Sequence, residues 1–596
     1  MRTGNDAIRI RIRILAIPVV LLFCYVVGRL YYVQIVRHEH YYEKARGKYV
    51  TSQTTRGARG EIFDADGNLL VGNMPCQDVT ITPCNIKKEF DRELTAILCH
   101  CLELDFQPVY AKVSRKSRSV TDASGKQCEK PVQYAMIARE VPLEKARELK
   151  NILMERNLSG GVHFHNTTMR YYPKGKLLSN VLGFTSMDQD QVKPVIGVEK
   201  FFNKEISAAS GKRVYERTRD GRPLGETPLK EIKSRDGLNL YLTIREPIQA
   251  ILEEELDRVV EKWRPKAAYA VMADPRGNIL AMAQRPSFDP NDRKNIDPAS
   301  WRIRIIEDVF EPGSIMKAVT VAGALDYGAV TPQTMIDCGQ GHWTYLGRPL
   351  TDTHGYGMQN VTGVIRKSSN IGTAKIALLM GKERLNRTLR KFGFGSRTGL
   401  PLKPETRGIF PSVDRWDGLS ITRFGMGYGI AVSPVQMLRA YCALAGRGKL
   451  PPTLRLVDRV EDPATGEVVK NPEMEPVNLF QRKETGEEIV NMMITVTEPG
   501  GTATQAAIPG YHVAGKTGTA RKIEHGHYVS KYYGSFVGFV PAENPAFVLL
   551  VTLDEPKGHY YGGLVAGPAW KAIAERTLKY LDIKPNVPLP EKKRAH

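Results

Sequence analysis

Three short motifs in this 596-residue chain carry residue types that could do covalent chemistry. The first is Ser314-Ile315-Met316-Lys317, preceded by the turn-forming pair Pro312-Gly313. Residues three apart on a helix share a face, so the Ser314 hydroxyl and the Lys317 amine can meet. A serine hydroxyl is a weak nucleophile until a neighbouring base takes its proton. Lysine can be that base only when neutral, and burial together with the positive end of a helix dipole favours the neutral form. The second motif is Ser368-Ser369-Asn370. Ser368 could relay a proton between Lys317 and a leaving amine, and Asn370 could hold a substrate amide. The third is Lys516-Thr517-Gly518-Thr519. Lys516 offers positive charge to a terminal carboxylate, and Thr517 and Thr519 offer hydroxyl donors. Gly518 would let a substrate lie close to the strand. Each pattern alone is frequent by chance. Their succession in one domain is far more specific, and the chemistry it fits is acyl transfer through a serine ester.

These groups need rigid elements to hold them. The run from Ile315 through Val319, Val321, Ala322 and Leu325 is apolar on nearly every face, which predicts a helix inside a domain, stopping near Gly328. Residues 367–370 lie between helical runs, on a loop. Residues 515–519 lie just before a hairpin, on a sheet-edge strand. Leu240–Ile244 reads as a strand. Glu246–Trp263 reads as an amphipathic helix with Ile248, Ile251, Leu252, Leu256, Val259, Val260 and Trp263 on one face. Ala268–Met272 and Ile279–Ala283 flank the turn at 274–278, and Ser535–Val540 and Ala546–Leu553 flank Pro541–Pro545, giving two hairpins. A helix near 568–581 closes the segment. Strands at both ends with helices between predict an α+β domain whose antiparallel sheet is assembled from distant pieces.

The membrane-proximal half carries no nucleophile beside a base. Residues 59–70 read as strand, Asp-Gly turn and strand. Phe90–Leu104 and Pro142–Asn157 read as helices, and the polar stretch Ser114–Lys130 as an exposed loop. At the N-terminus, Arg2, Arg9, Arg11 and Arg13 precede an uncharged run from Ile14 to Val27. That run reaches spanning length only if it continues to about Val36, with Arg29 snorkelling or facing a partner. A cleaved signal peptide is the rival, but no small-x-small cleavage site follows, and interfacial Tyr31 and Tyr32 suit a retained anchor with its arginines inside. Five segments result: a cytoplasmic tail at 1–13, a transmembrane anchor at 14–36, a pedestal at 37–239, the catalytic domain at 240–583 and a tail at 584–596.

The formal charge of +21 suggests an anionic environment. With no zinc-finger pattern, RNP-type aromatic motif or dense basic tract, nucleic acid is not the expected partner. Of the eight cysteines, those at 76, 84, 99, 101 and 128 cluster in sequence. They match no standard zinc spacing, so structural cysteines, free or disulfide-paired, are expected, with no metal and no cofactor.

In the order Ser314-x-x-Lys317, Ser368-x-Asn370, Lys516-Thr517-Gly518, the chain resembles penicillin-binding proteins and serine β-lactamases. From about Arg29 to Leu581 it is similar to class B penicillin-binding proteins, and most to their FtsI-type septal division branch, penicillin-binding protein 3. The resemblance rests also on Arg59–Asp64, Arg170–Pro173, Pro286–Asn291, Phe424–Ile430 and Tyr560–Gly563. Ala65, where the family motif often has arginine, and Cys99-His100-Cys101 depart from the pattern. The resemblance implies an anchor, an elongated pedestal and a transpeptidase domain with a five-stranded antiparallel sheet. It implies a D,D-transpeptidase that cross-links peptidoglycan stem peptides through a Ser314 acyl-enzyme with loss of D-Ala, and that β-lactams acylate. The oxyanion would be held by the backbone N–H groups of Ser314 and Thr519. Implied partners are a polytopic SEDS-type glycosyltransferase and other divisome proteins of the inner membrane. Rod-elongation relatives often carry Asp at the Asn370 position and Ser at the Thr517 position, so both residues favour division. A β-lactamase or carboxypeptidase would use the same motifs but pass the acyl group to water, which an anchor and pedestal argue against. A β-lactam sensor would need a cytoplasmic output module larger than about 13 residues.

Overall fold

A computed structural model describes residues 3–55, 57–121, 125, 127–188, 191–216, 229–293 and 295–588. The chain divides into two compact units. The smaller comprises residues 1–59 and 208–237. Its helix Thr3–Tyr31 runs on through a π-helical turn, Tyr32–Val36, and an 18-residue stretch within Ile8–Val36 has a mean hydropathy of 2.3 with none of it buried. The helix takes in Arg9, Arg11 and Arg13, so it starts upstream of the apolar run; Arg2 lies outside the described residues. The guanidinium groups of Arg29 and Arg37 lie 5.9 and 5.8 Å from the Tyr32 ring centroid, and Arg37 Nε donates to Tyr32 Oη at 3.0 Å. After the helix His38–Tyr49, the strand Val50–Thr55 pairs antiparallel with Gly211–Glu216, which pairs with Lys230–Ile232.

The larger unit, residues 60–207 and 238–596, holds two large sheets beside several two-stranded hairpins and pairs. A seven-stranded sheet runs Val468–Lys470, Val457–Glu461, Asn239–Leu242, Ile62–Phe63, Leu69–Ile81 and Ala135–Pro142, with Val162–Tyr171 also paired to Leu69–Ile81. The strand expected at 240–244 therefore joins the pedestal sheet, parallel to Ile62–Phe63. Asp64 explains the Asp-Gly turn. Fully buried, its Oδ1 accepts the N–H groups of Asp66 and Asn68 at 2.9 and 2.7 Å, while its Oδ2 accepts Glu246 N–H at 3.0 Å. One carboxylate thus closes the turn and caps the helix Glu246–Trp263. The turn recurs at Asp274-Pro275-Arg276-Gly277-Asn278, where Asp274 accepts Arg276 and Asn278 N–H, and Gly67 and Gly277 both sit at φ +89°.

The remaining pedestal motifs meet one another. Arg170 pairs with the buried Glu199 at 2.6 Å and donates to Asn73 at 3.1 Å. Asn291 exchanges two hydrogen bonds with the backbone of Tyr172, at 3.1 and 2.9 Å, and Arg293 reaches Glu140 and the Arg170 carbonyl. Helices form at Asp91–Leu102 and Leu143–Glu155, within the expected stretches. The loop expected at 114–130 is instead a hairpin: Ser117–Thr121 pairs antiparallel with Gln127–Pro131. Both strands are mostly exposed, so no buried face imposes the apolar alternation that a sequence reading relies on. All eight cysteines are free, and burial pushes the Cys76 thiol up to about 12.

The second sheet has five antiparallel strands in the order Ile279–Arg285, Ala267–Ala273, Phe547–Asp554, His527–Val540, Ala514–Glu524. The first two strands and the last three are separated by more than 220 residues of chain in between, as Arg285 and Ala514 mark. Every residue of Ala267–Ala273 and Phe547–Asp554 is buried, so both faces are covered. Glu246–Trp263 and Gly567–Tyr580 pack together on this sheet, and Trp570 donates to the Leu549 carbonyl at 2.8 Å. The helix Met316–Asp326 is buried at every position, the outcome its all-round apolar sequence demands.

Candidate active site

Ser314 sits in a single 3-10 turn, Gly313–Ile315, that runs straight into the buried helix. The first N–H groups of such a turn have no partner within it, which leaves Ser314 N–H available as a donor. The turn is fixed from several sides. Gly313 N–H donates to the Gly427 carbonyl at 3.0 Å, Tyr441 Oη to the Ile315 carbonyl at 2.8 Å, and Thr320 Oγ1 to the Gly425 carbonyl at 2.8 Å. A Cβ on Gly427 would lie 2.2 Å from the Gly313 oxygen, so the Phe424–Ile430 motif approaches this closely only as glycine.

Lys317 is fully buried, and its Nζ donates to the Ser368 carbonyl at 2.6 Å and to Asn370 Oδ1 at 2.7 Å, with Ser368 Oγ at 3.4 Å. Desolvation lowers its pKa to about 7, opposed by Asp352 and Cys338. Near neutral pH much of this amine is therefore a free base. Among the described residues no hydrogen bond joins Ser314 Oγ to Lys317 Nζ; the amine is turned toward the second motif. Ser368 holds a left-handed backbone, φ +58°, between the helices Val361–Lys367 and Asn370–Met380. Its Oγ accepts Lys516 Nζ at 2.8 Å, so one hydroxyl bridges the two buried amines. Lys516 is pulled well below its ordinary pKa, first by desolvation and then by Lys317. Like charges in one desolvated site cannot both persist cheaply, so one amine gives up its proton.

Asn370 points inward. Its Oδ1 takes Lys317 and its Nδ2 donates to the Thr351 carbonyl at 2.9 Å. Its side-chain oxygen thus holds the Lys317 amine in place. A Cβ on Gly518 would lie 3.0 Å from Ile315 Cγ2 and 3.2 Å from the Pro312 oxygen, so the missing side chain lets the strand approach the Ser314 turn. Side chains alternate along the strand, so Thr517 and Thr519 take the other face. Thr517 Oγ1 lies 3.1 Å from Thr502 Oγ1, and Thr519 Oγ1 accepts Gly562 N–H at 3.0 Å.

Asp352 escaped the sequence reading. Its Oδ1 accepts the N–H groups of Asn370 and Ile371, and its Oδ2 accepts Ser369 Oγ, which in turn accepts Gly372 N–H at 2.8 Å. It caps the helix that begins with Asn370 and places negative charge near Lys317. No fixed spacing links it to the motif it serves. Only the short hairpin His342–Tyr345/Arg348–Thr351 delivers it there.

Residues 268–575 match the penicillin binding protein transpeptidase domain, and residues 54–242 match the penicillin-binding protein dimerisation domain. The chain is 31% identical over 583 residues to the probable peptidoglycan D,D-transpeptidase PenA of Neisseria meningitidis, covering 97% of this chain and 94% of that one. It is 30% identical over 577 residues to the peptidoglycan D,D-transpeptidase FtsI of Escherichia coli, covering 95% and 91%. The chain is a class B penicillin-binding protein of the FtsI type. Its fold is that of a peptidoglycan synthetase from Bifidobacterium adolescentis, with a TM-score of 0.70 at 24% identity over 91% of this chain and 98% of that one. The three sequence motifs of this penicillin-binding protein thus converge on one hydroxyl, Ser368 Oγ, beside the Ser314 turn.

Proposed function

We propose that the protein is a septal peptidoglycan D,D-transpeptidase, in keeping with the FtsI and PenA relatives, and that Ser314 carries its acyl group. The observation that carries this reading is the pair of buried lysines on Ser368 Oγ, with Lys317 brought to about 7. Ser314 Oγ attacks the carbonyl carbon of the penultimate D-Ala while its proton passes to neutral Lys317. The oxyanion takes hydrogen bonds from the N–H groups of Ser314 and Thr519. The C–N bond breaks, the proton travels from Lys317 through Ser368 to the departing amine, and D-Ala leaves. An amine of a neighbouring stem then attacks the ester, its proton returns through Lys317, and Ser314 is released as the hydroxyl. Lys516, Thr517 and Thr519 receive the terminal carboxylate. An arriving carboxylate holds Lys516 protonated, which keeps Lys317 as the neutral member of the pair. β-Lactams enter the same path but leave no departing amine, so the ester persists.

Residues 14–36 anchor the chain in the inner membrane with the N-terminus cytoplasmic, residues 37–239 form the pedestal, and residues 240–583 form the transpeptidase domain. The entirely exposed apolar helix supports both the anchor and a docking role toward a SEDS-type glycosyltransferase and other divisome membrane proteins. The direct test supplies a stem peptide ending in D-Ala-D-Ala and an amine acceptor, and measures free D-Ala and amide product. Stoichiometric release of both supports the reading. D-Ala release with only hydrolysed stem would make the protein a carboxypeptidase.

A further inference from the structure

The nucleophile turn is also gripped by a carboxylate that the acylation scheme does not use. Glu311 lies three residues before Ser314 and is only 8% exposed. Its Oε1 accepts Gly429 N–H at 2.6 Å, and Tyr528 Oη donates to its Oε2 at 3.0 Å. These partners belong to two other elements. Gly429 closes the turn whose Gly427 carbonyl holds Gly313 N–H. Tyr528 begins the strand His527–Val540, which pairs along its length with the strand carrying Lys516–Thr519. Arg521, two residues beyond Thr519, lies 5.8 Å from the Tyr528 ring centroid and donates to the Tyr528 and Val529 carbonyls at 3.4 Å. The carboxylate therefore joins the turn bearing Ser314, the glycine turn packed against it, and the strand paired with the one that would supply the second oxyanion donor.

We propose that Glu311 is a positioning residue for acylation, fixing the Ser314 turn against the Gly427–Gly429 turn and, through Tyr528, against the Lys516–Thr519 strand. It rests on the reading of Ser314 as nucleophile. Oxyanion stabilisation depends on donors already in place when charge develops, so a loosened turn slows the chemical step and leaves initial binding intact.

The test uses full-length protein in detergent, rapidly mixed with benzylpenicillin over a range of concentrations. The concentration dependence separates the initial binding constant from the limiting acylation rate, and titration of active sites counts only folded molecules. Glu311→Ala is expected to lower the limiting rate about 10- to 100-fold with initial binding unchanged, as small misplacements of reacting groups do. Glu311→Gln keeps an amide oxygen for Gly429 and a hydrogen-bond partner for Tyr528, and is expected to restore most of the rate. Tyr528→Phe is expected to fall between Glu311→Ala and wild type. Fewer titratable sites with an unchanged limiting rate in both Glu311→Ala and Tyr528→Phe would overturn the proposal, because a merely structural residue behaves that way. Should Glu311→Ala not fold, Tyr528→Phe decides: a lowered limiting rate supports the proposal and an unchanged one overturns it. A wild-type protein acylated elsewhere than at Ser314 overturns the nucleophile reading instead, and the proposal with it.

Discussion

Two of the places where the larger unit buries charge do it in opposite ways. In the pedestal, the Arg170 guanidinium is matched by the Glu199 carboxylate at 2.6 Å, with side chains 3% and 0% exposed. In the transpeptidase domain, Lys317 and Lys516 share Ser368 Oγ, and among the described residues no carboxylate pairs with either. An opposite charge makes the first cluster a fixed structural joint. Desolvation with no paired carboxylate makes the second unstable toward protonation and brings Lys317 down to about 7. The paired charge serves architecture, and the two unpaired amines are the ones proposed for chemistry.

The comparison can be broken from either side. The largest effect is expected at the unpaired cluster: Lys317→Ala should slow penicillin acylation by about 10²- to 10⁴-fold, the usual worth of a general base. Rapid-mixing kinetics measure it, and near-normal rates would remove Lys317 from the base role. The paired cluster should respond in stability instead. Arg170→Met takes the 2.6 Å counter-charge from the buried Glu199 and should cost about 3–5 kcal/mol of folding free energy. Denaturant unfolding measures that loss, and molecules that remain folded should still acylate at the wild-type rate. A stability change below measurement error would show that the joint is not a paired charge in solution.

A subtler effect sharpens the contrast. With Lys317 as the proposed base and its pKa lowered to about 7, acylation should rise with pH through that value. Asp352 holds the Lys317 pKa up, so Asp352→Asn should move the rising limb toward lower pH. The same substitution weakens a helix cap, worth about 0.5–2 kcal/mol. A limb that stays in place or moves to higher pH would show that Asp352 does not act electrostatically on the amine.

How much of this was readable from the chain depends on distance along it. The buried helix after Ser314, the amphipathic helix Glu246–Trp263 and both hairpins were legible because apolar periodicity is local. Lys317 and Lys516 could be named from motif spacing, but not their shared hydroxyl. Asp352 left no signal because its link to Ser369 and Asn370 is made only by folding. The approach of the Gly518 strand to the Ser314 turn could not be read from the chain, since sequence alone does not say which neighbour requires the missing side chain. The hairpin at 117–131 was missed because exposed strands leave little pattern.

The most direct test of the central claim is the intact mass of full-length protein after incubation with benzylpenicillin, followed by peptide mapping. The account predicts a persistent gain of one drug mass on Ser314, absent from Ser314→Ala while that variant keeps its thermal unfolding transition. An adduct retained in Ser314→Ala, or mapped to another residue, would contradict it.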